Sequence, residues 1–344
     1  METPDASPYM ADLDIIRFCD ENGFSVRTHP FFRDVEKFWP FVVCELRDAA
    51  VVGPHPTPVC QNRAFFDSLS NYGPRQKQRM IKHENDERQS IAVDKAVSIG
   101  GNPSFGHFID VHLLQTLYLQ LFDDLKSLPV ITLGGMPQGS YDLLAALGIP
   151  ESRLLKIDGS NAVVCKELYV PTTVGGVTPD FQSYSVPAKL CRLLRDLVRG
   201  AVLGTNAPTR EPFRKVYIQR NNVTSKAVLN AEEVDAFMAG LGYELVDPAA
   251  LSLAKQVKIA VETKYFVTPN GSQIHLADFA AAGTNLLFLT VEGSTKNPTW
   301  DAVERFGHLG MNFNAMLCPF DDLGNMDINI QQLHRGLQEL NFPA

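Results

Sequence analysis

A glycine-rich turn, Gly100–Gly106, is the first stretch whose residue types could bind a ligand. It lies between a short apolar run and a helix-length run. Its backbone N–H groups therefore come to a helix N-terminus, where an anion is favoured. The glycine spacing imitates a P-loop, but His107 and Phe108 stand where that loop needs Lys and Ser or Thr. The turn does not predict a P-loop nucleotide hydrolase, and it leaves His107 as either a catalytic group or a packing residue at the helix start.

The triplet Asn270, Gly271 and Ser272 is the second candidate, because it joins a predicted strand to a predicted helix. Ligands of open α/β sheets bind at this carboxyl end of the strands. Basic residues surround the first strand of the same half: Arg210, Arg214, Lys215, Arg220 and Lys226. Each of them alone is as well explained as a surface charge. Together they predict local positive charge for an anionic ligand.

The second half shows the alternation of a parallel sheet covered by helices, with short β-branched runs between amphipathic, helix-length runs. Asn230 and Ser252 mark helix starts, since both residue types favour the N-cap position. The predicted strands are Lys215–Gln219, Tyr243–Val246, Tyr265–Thr268 and Asn285–Val291, and the predicted helices cover Ala231–Gly240, the run after Ser252, and Ile274–Ala281. This order predicts a Rossmann-like half.

The first half also has α/β character. Its predicted strands are Phe41–Glu45, Ala96–Ile99, Val130–Leu133 and Val163–Leu168, and its predicted long helix is His107–Leu125. A stretch rich in Thr, Gly, Ser and Pro, Pro171–Pro187, is the predicted crossing between the halves. The 344 residues also suggest about two domains. We therefore predict domains over residues 1–185 and 186–344.

Composition excludes several classes of partner. With 31 basic and 39 acidic residues the net charge is -8, so a general binder of nucleic acid or of anionic membranes is disfavoured. No apolar run approaches the ~18–20 residues of a membrane helix, and the N-terminal residues lack the features of a signal peptide. The expectation is a cytoplasmic protein without a transmembrane segment.

Several catalytic and metal-binding patterns are missing from the sequence. It contains no HExxH, no GxGxxG after a predicted strand and no GxSxG, which disfavours a zinc site of that type, a dinucleotide-dependent enzyme and a serine hydrolase of that type. The six cysteines form no CxxC pair or disulfide framework. They are interpreted as reduced thiols, mostly in the core.

Two blocks of the sequence together resemble glycosyltransferase family 61, including its bacterial relatives of capsular polysaccharide biosynthesis. Asp94–Leu117 reads DKAVSIGGNPSFGHFIDVHLLQTL and is similar to the family's strand, Asn-containing turn, Gly-His-aromatic step and Leu-rich helix. Val216–Leu289 carries YIQR, Lys226, NAEE, LSLAKQ, NGS, Phe279 and AAGT in the family's order. The sequence departs from the family's residue types at Val111, Gln219, Lys226, Asn270, Leu276 and Phe288.

The resemblance implies a GT-B architecture, in which two Rossmann-like domains face each other across a cleft. The N-terminal domain would take the acceptor and the C-terminal domain the nucleotide sugar, with the final helix packing back on the N-terminal domain. The implied reaction is an inverting transfer of a hexosyl or pentosyl group to a hydroxyl of a glycan or glycolipid acceptor in polysaccharide biosynthesis. No cofactor or metal is then required, and the location is cytoplasmic or peripheral at the inner membrane.

The resemblance also suggests roles for particular residues. His107 and Asp110 are the predicted catalytic pair, with His107 as the base that accepts the acceptor's proton and Asp110 as its orienter or as an alternative base. The residues implied for donor binding are Arg220, Lys226, Ser252, Gln256, Asn270, Gly271, Ser272, Gln273 and His275.

A second hypothesis comes from a different class of protein. The departures at Asn270, Leu276 and Phe288 also fit a non-catalytic GT-B-like protein that has kept a carbohydrate- or nucleotide-binding site. Donor hydrolysis separates the two hypotheses. A third, an unrelated α/β enzyme such as a nucleotide-sugar epimerase, is disfavoured because the dinucleotide fingerprint is missing.

Overall fold

Strands and helices alternate along most of the chain in the computed structural model. The structure describes residues 8–32, 41–53, 56–61, 63–65, 89–172, 176–177, 184–204, 211–220, 226–291, 304–322 and 324–344. The chain divides into two units, Met1–Val186 and Pro187–Ala344, each with internal contacts of its own. The predicted α/β class is confirmed, because each unit combines a β-sheet with helices.

The first unit contains ten strands and three helices among the described residues. The helices are α1 (Pro8–Asn22), α2, whose α-helical turns Phe105–His107 and Leu114–Leu121 flank a π-helical segment, Phe108–Leu113, and α3 (Gln138–Ala146). The strands are β1 (Val26–Thr28), β2 (Val42–Val52), β3 (Thr57–Cys60), β4 (Arg63–Ala64), β5 (Gln89–Gly100), β6 (Val130–Leu133), β7 (Leu154–Ile157), β8 (Asn161–Pro171), β9 (Gly176–Val177) and β10 (Tyr184–Ser185).

Its main sheet is mixed rather than parallel throughout. The strand order is β4-β3-β2-β8-β5-β6-β7, with β1 on β2. Strands β8, β5, β6 and β7 run parallel, as a Rossmann-like fold requires. Strands β1 to β4 pair antiparallel, and β2 joins them to β8. Half of the sheet therefore differs from the predicted Rossmann-like arrangement.

Helix α2 connects β5 to β6 and is almost wholly buried along its last two turns. It ends at Leu121, because Phe122 adopts an extended backbone, and a short 3₁₀ turn, Asp123–Leu125, follows. The predicted helix His107–Leu125 is thus confirmed in place but has a wider turn inside it and a different end.

The second unit has one five-stranded parallel sheet. Its strands are β11 (Arg214–Ile218), β12 (Glu244–Val246), β13 (Thr263–Pro269), β14 (Asn285–Val291) and β15 (Asn312–Cys318), in the order β12-β11-β13-β14-β15. Its helices are α4 (Ala188–Leu203), α5 (Ala231–Gly240), α6 (Leu253–Glu262) and α7 (Ile330–Glu339), with a 3₁₀ helix at Ser272–Phe279 and a helical stretch over 304–308.

The core of one face of this sheet comes from α5 and α7. Val234 and Met238 of α5 and Leu333 and Leu337 of α7 are fully buried in one cluster with strand residues such as Tyr217. The predicted helix Ala231–Gly240 and the predicted strand Asn285–Val291 are confirmed at both ends. The predicted α-helix at Ile274–Ala281 is wrong in type, because this segment winds as the tighter 3₁₀ helix.

Candidate functional site

Strand β11 is the point at which the strand order of the second unit changes direction. β12 pairs with one side of it and β13 with the other, and all three run parallel. A crevice at such a switch point, outside the carboxyl ends of the strands, is where doubly wound sheets bind ligands. The residues that follow β11 and β13 are therefore the first to consider for a site.

Arg220, two residues after β11, lies against the turn that follows β13. Its Nη1 donates to Gln273 Oε1 at 2.6 Å, and Gln273 Nε2 in turn donates to the Pro269 carbonyl at 2.9 Å. Gly271 lies directly beneath the guanidinium, since a Cβ at this position would come within 2.5 Å of Arg220 Cζ. The turn thus brings together three of the residues predicted for donor binding.

The chemistry of this contact favours an anion. Burial lowers the pKa of Arg220, but a guanidinium remains protonated at neutral pH. Gly271, the residue at the start of the 3₁₀ helix, lies beside it, and the N–H end of a helix carries partial positive charge. A half-buried cation next to such groups can bind a phosphate oxygen through charge-assisted hydrogen bonds.

Lys226 is connected to Arg220 through its main chain. Its carbonyl accepts a hydrogen bond of 2.6 Å from Arg220 Nε, and it adopts a left-handed backbone with φ of 54°. The Lys226 side chain is exposed. The strained turn therefore fixes the direction of Arg220 and brings a second cation to the same end of the sheet.

The 3₁₀ helix Ser272–Phe279 separates the predicted residues onto two faces. Side chains three positions apart lie on one face of a 3₁₀ helix, so His275 faces Asp278. Gln273, two positions before His275, faces Arg220 instead. His275 Nδ1 lies 3.0 Å from Asp278 Oδ2. His275 therefore belongs to a neighbouring group rather than to the Arg220 contact.

Asp278 is the centre of that neighbouring group. It is fully buried and accepts hydrogen bonds from Arg305, from Nε to Oδ1 at 2.6 Å and from Nη2 to Oδ2 at 2.7 Å. Burial alone would raise the pKa of Asp278, but Arg305 and His275 outweigh it and the pKa is lowered. The carboxylate is therefore ionised at neutral pH and holds both partners in place.

Four other residues predicted for donor binding lie outside the Arg220–Gln273 contact: Asn270, Ser272, Ser252 and Gln256. Asn270 is 8% exposed, and its side chain makes no hydrogen bond in the described part of the protein. Ser272 is half-buried at the start of the 3₁₀ helix. Ser252 is exposed at the N-cap of α6, and Gln256 donates to the carbonyls of Pro248 and Leu251. Within the described residues, neither Ser252 nor Gln256 hydrogen-bonds to Arg220 or Gln273.

The predicted basic cluster is divided by the strand that it surrounds. Arg214 begins β11 and pairs with Glu244 and Glu262, and Lys215 donates to the Leu241 carbonyl at 2.8 Å. Both lie at the amino end of the strand, away from the crevice. Arg210 lies outside the described residues. Of the predicted basic cluster, the described residues at the carboxyl end are therefore Arg220 and Lys226.

The two predicted catalytic residues lie at the start of α2 in the first unit, just after the carboxyl end of β5. His107 is exposed and Asp110 is half-buried. The preceding turn is tightly packed: Gly100 has φ of 68°, and a Cβ on Gly101 would come within 2.5 Å of Leu133 Cβ. This packing explains both glycines.

His112, which the sequence pattern did not single out, supports the same turn from below. It is 4% exposed, and its Nδ1 lies 2.9 Å from the Ile99 carbonyl, so that this nitrogen carries the hydrogen. The π-helical segment contains His112, and such wide turns often occur at functional sites. The Asp278–Arg305 pair was also missed, because the two residues lie 27 positions apart and no local pattern connects them.

No three His, Cys, Asp or Glu side chains among the described residues are arranged to hold a metal ion. No helix in the same residues is both long and apolar enough to cross a membrane.

Comparison with protein families identifies most of this region. A family model described as Glycosyltransferase 61 matches residues 105–287, a little over half of the 344 residues. The matched segment begins with α2, ends in β14 and contains all the residues predicted for catalysis and donor binding. No curated protein matches the chain.

Proposed function

The chain belongs to glycosyltransferase family 61, and on this basis we propose that it transfers a sugar from a nucleotide-sugar donor to a hydroxyl of a glycan or glycolipid acceptor in polysaccharide biosynthesis. The observation that carries the proposal is the contact of Arg220 with Gln273 over Gly271, at the switch point of the second sheet. A diphosphate is the kind of ligand that this cationic, backbone-lined crevice suits.

The proposed reaction is an inverting displacement. The acceptor oxygen forms a bond to the anomeric carbon, while the bond from that carbon to the donor diphosphate breaks. The acceptor's proton passes to His107, with Asp110 orienting it or taking its place. Arg220 and Lys226 stabilise the negative charge that develops on the leaving diphosphate. In the GT-B arrangement that we propose, the first unit supplies the acceptor side and the second unit the donor side.

Donor binding is tested first by a ligand screen. A ligand that binds only the native state raises its melting temperature, so thermal shifts with a panel of nucleotides and nucleotide sugars identify the donor. Arg220→Ala should then cost about 1.5–3 kcal/mol of binding free energy, as expected for a hydrogen bond to a charged group. Calorimetry measures it. Arg192→Ala is the control, because Arg192 is an exposed arginine whose Nε donates to the His308 carbonyl.

Catalysis is tested separately from binding. His107→Ala should lower turnover by about 10²–10⁴-fold, the usual contribution of a general base, and should leave donor affinity unchanged. Asp110→Asn tests the second residue in the same assay. If both variants turn over like the parent, the base lies elsewhere.

The non-catalytic alternative is favoured by one particular residue. Leu276 places a buried apolar side chain in the 3₁₀ helix, at a position where the resemblance implies asparagine. A protein of this second kind would bind the nucleotide sugar but release no nucleoside diphosphate, with or without acceptor. Measuring that release with the ligand found in the screen decides between transfer and binding alone.

Two further parts of the proposal concern conditions. The six free cysteines, all buried, support a reducing compartment such as the cytoplasm, and peripheral attachment at the inner membrane is the alternative. We also propose that the reaction requires no metal. Full activity after treatment with a chelator supports this part, and loss of activity that magnesium or manganese restores contradicts it.

A further inference from the structure

Two loops of the second unit pair with each other at the carboxyl end of the sheet. We call residues 226–230, which precede α5, and the described residues of 319–328, which precede α7, the paired loops. Met326 N donates to the Ala227 carbonyl at 2.7 Å, and Leu229 N donates to the Met326 carbonyl at 2.8 Å. The main chain of Met326 therefore lies between the two segments.

Side-chain amides fix the paired loops in one conformation. Asn325, which is 8% exposed, accepts from Ala227 N at 2.9 Å and donates to Asp321 Oδ2 at 2.9 Å. Asn230 accepts from Ile328 N and donates to the Ile328 carbonyl. Because these bonds satisfy backbone groups on both segments, the surface that the loops carry is formed before any ligand arrives.

That surface is unexpectedly apolar. Leu229 is 59% exposed and Phe320 is 47% exposed, and each lies in a segment whose main chain pairs with Met326. Large apolar side chains contribute to folding when they leave water. Their exposure on a fixed loop is therefore not explained by packing within the second unit.

The paired loops are continuous with the Arg220 contact. Lys226, the first residue of one loop, accepts from Arg220 Nε through its carbonyl. Its side chain runs beside the other loop, since a Cβ on Gly324 would lie 3.8 Å from Lys226 Cγ. The segments that carry Leu229 and Phe320 therefore adjoin the residues that would hold the ligand.

We propose that Phe320 and Leu229 form the surface that binds the nucleobase of the donor, an inference that rests on the proposed function. A nucleobase is a flat, apolar ring attached to the diphosphate that Arg220 and Lys226 suit, and bases stack on exposed aromatic side chains. The described residues of the paired loops expose these two large apolar side chains, an area far too small for a stable protein partner, which covers roughly 800 Å² on each side. Phe320 supplies the ring for stacking, and Leu229 covers a second part of the base.

The test compares a diphosphate with and without a base. Calorimetry gives the affinity of the full-length protein for UDP, GDP and ADP and for inorganic pyrophosphate. Phe320→Ala should weaken the binding of the preferred nucleoside diphosphate by roughly 5- to 150-fold, the effect of losing one base–aromatic stack. Its affinity for pyrophosphate should stay at the parent value. Phe320→Tyr should keep nucleotide binding, and Leu229→Ser should weaken it to a smaller extent.

Phe213 provides a matched control. It is 45% exposed, close to the value for Phe320, but it precedes β11 at the opposite, amino end of the sheet. Phe213→Ala should therefore bind both ligands like the parent protein. Because Phe320 is exposed, its alanine variant should also fold, and an unchanged melting temperature without ligand checks this.

The outcomes separate the inference from the proposed function. If the parent binds no nucleoside diphosphate, both are overturned. If the parent binds one in an Arg220-dependent manner and Phe320→Ala binds it equally well, the nucleobase surface is overturned and the proposed function stands. Equal loss of nucleotide and pyrophosphate binding also overturns it, since Phe320 then acts through the loop. A change in oligomeric state with unchanged nucleotide binding shows a surface between copies of the chain instead.

Discussion

Gly271 is the residue whose type is most tightly determined by its surroundings. The Arg220 guanidinium and the Gln273 amide both occupy the space that a side chain would need, and the backbone has φ of 154° and ψ of 178°. Only glycine adopts this combination readily. The requirement for glycine and the position of Arg220 are thus two aspects of one contact.

Gly271→Ala should displace Arg220 and impair donor binding. The added Cβ overlaps the guanidinium, and the strained backbone should cost about 1–3 kcal/mol of stability. Calorimetric titration with the donor and denaturant unfolding measure the two effects. Gly200→Ala is the control, because no atom lies within 4 Å of its added Cβ and it lies in α4. Parent-like donor affinity in Gly271→Ala would show that the crevice is not the binding site.

Asp278 should stabilise the folded protein over most of the pH range. Asp278→Asn leaves the half-buried Arg305 without its carboxylate, which should cost about 3–5 kcal/mol at pH 7. Because the folded-state pKa of Asp278 is lowered, its contribution is present above the unfolded pKa of about 3.9 and is lost as the pH falls through the folded value. The difference between variant and parent should therefore persist at pH 5 and shrink only in stronger acid.

Urea unfolding at several pH values measures this difference. Asp123→Asn serves as the control, since the Asp123 side chain is 91% exposed and pairs with Lys126 at the surface. It should leave the free energy of unfolding unchanged. A pH-independent loss in Asp278→Asn would mean that packing, and not the ionised carboxylate, stabilises this part of the protein.

Among the helices and strands, the sequence predicted the position of each element better than its type. The helix Ala231–Gly240 and the strand Asn285–Val291 follow from apolar period and flanking residues, and both are confirmed. The segment after Gly271 has the composition of a helix, but its residue pattern does not distinguish a 3₁₀ helix from an α-helix. The sequence therefore predicted Gln273 and His275 as members of one site. In the structure, the 3₁₀ helix directs them to different partners.

The joining of the paired loops should contribute measurably to stability. Asn325→Ala removes the bonds to Ala227 N and to Asp321, and should lower the free energy of unfolding by about 1–3 kcal/mol. Asn312→Ala is a matched control, because Asn312 is exposed and its amide donates to the Asn285 side chain. Chemical denaturation compares the two variants. Equal stability of Asn325→Ala and the parent would mean that the loops hold together without this amide.

For the whole molecule, the alternation of β-branched and helix-length runs predicted the α/β class. It did not predict the antiparallel half of the first sheet. Strand β2 has buried residues on both faces, as a central strand does. The apolar pattern of β2 indicates that it lies inside a sheet. It does not indicate which strands flank β2 or in which direction they run. Its antiparallel partners are β3, which follows directly in the sequence, and β8, which begins more than 100 residues later and which a pattern of short range cannot identify.

The cysteines give a measure of unfolding for the entire chain. All six are free and buried, as expected from their spacing, and burial raises the pKa of Cys165 and of Cys318 to about 11. Since the thiolate is the reactive form, the native protein should react with a disulfide reagent at pH 8 only as fast as it opens. Six thiols should react at once in denaturant. A rapid phase in the native protein would show that a thiol is accessible without unfolding.

The wide turn within α2 has a consequence for how the chain can change its length. Deleting one residue from Phe108–Leu113 would allow that stretch to wind as an ordinary α-helix, because a π-helical turn holds about one residue more than an α-helical turn. The helical segments on either side would keep their directions, so that Leu114–Leu121 would keep their buried positions and His107 would stay on its present side of the helix. A one-residue deletion within an ordinary α-helix instead turns its two parts by about 100° against each other. The wide turn is therefore a place where this helix can lose a residue without turning its ends.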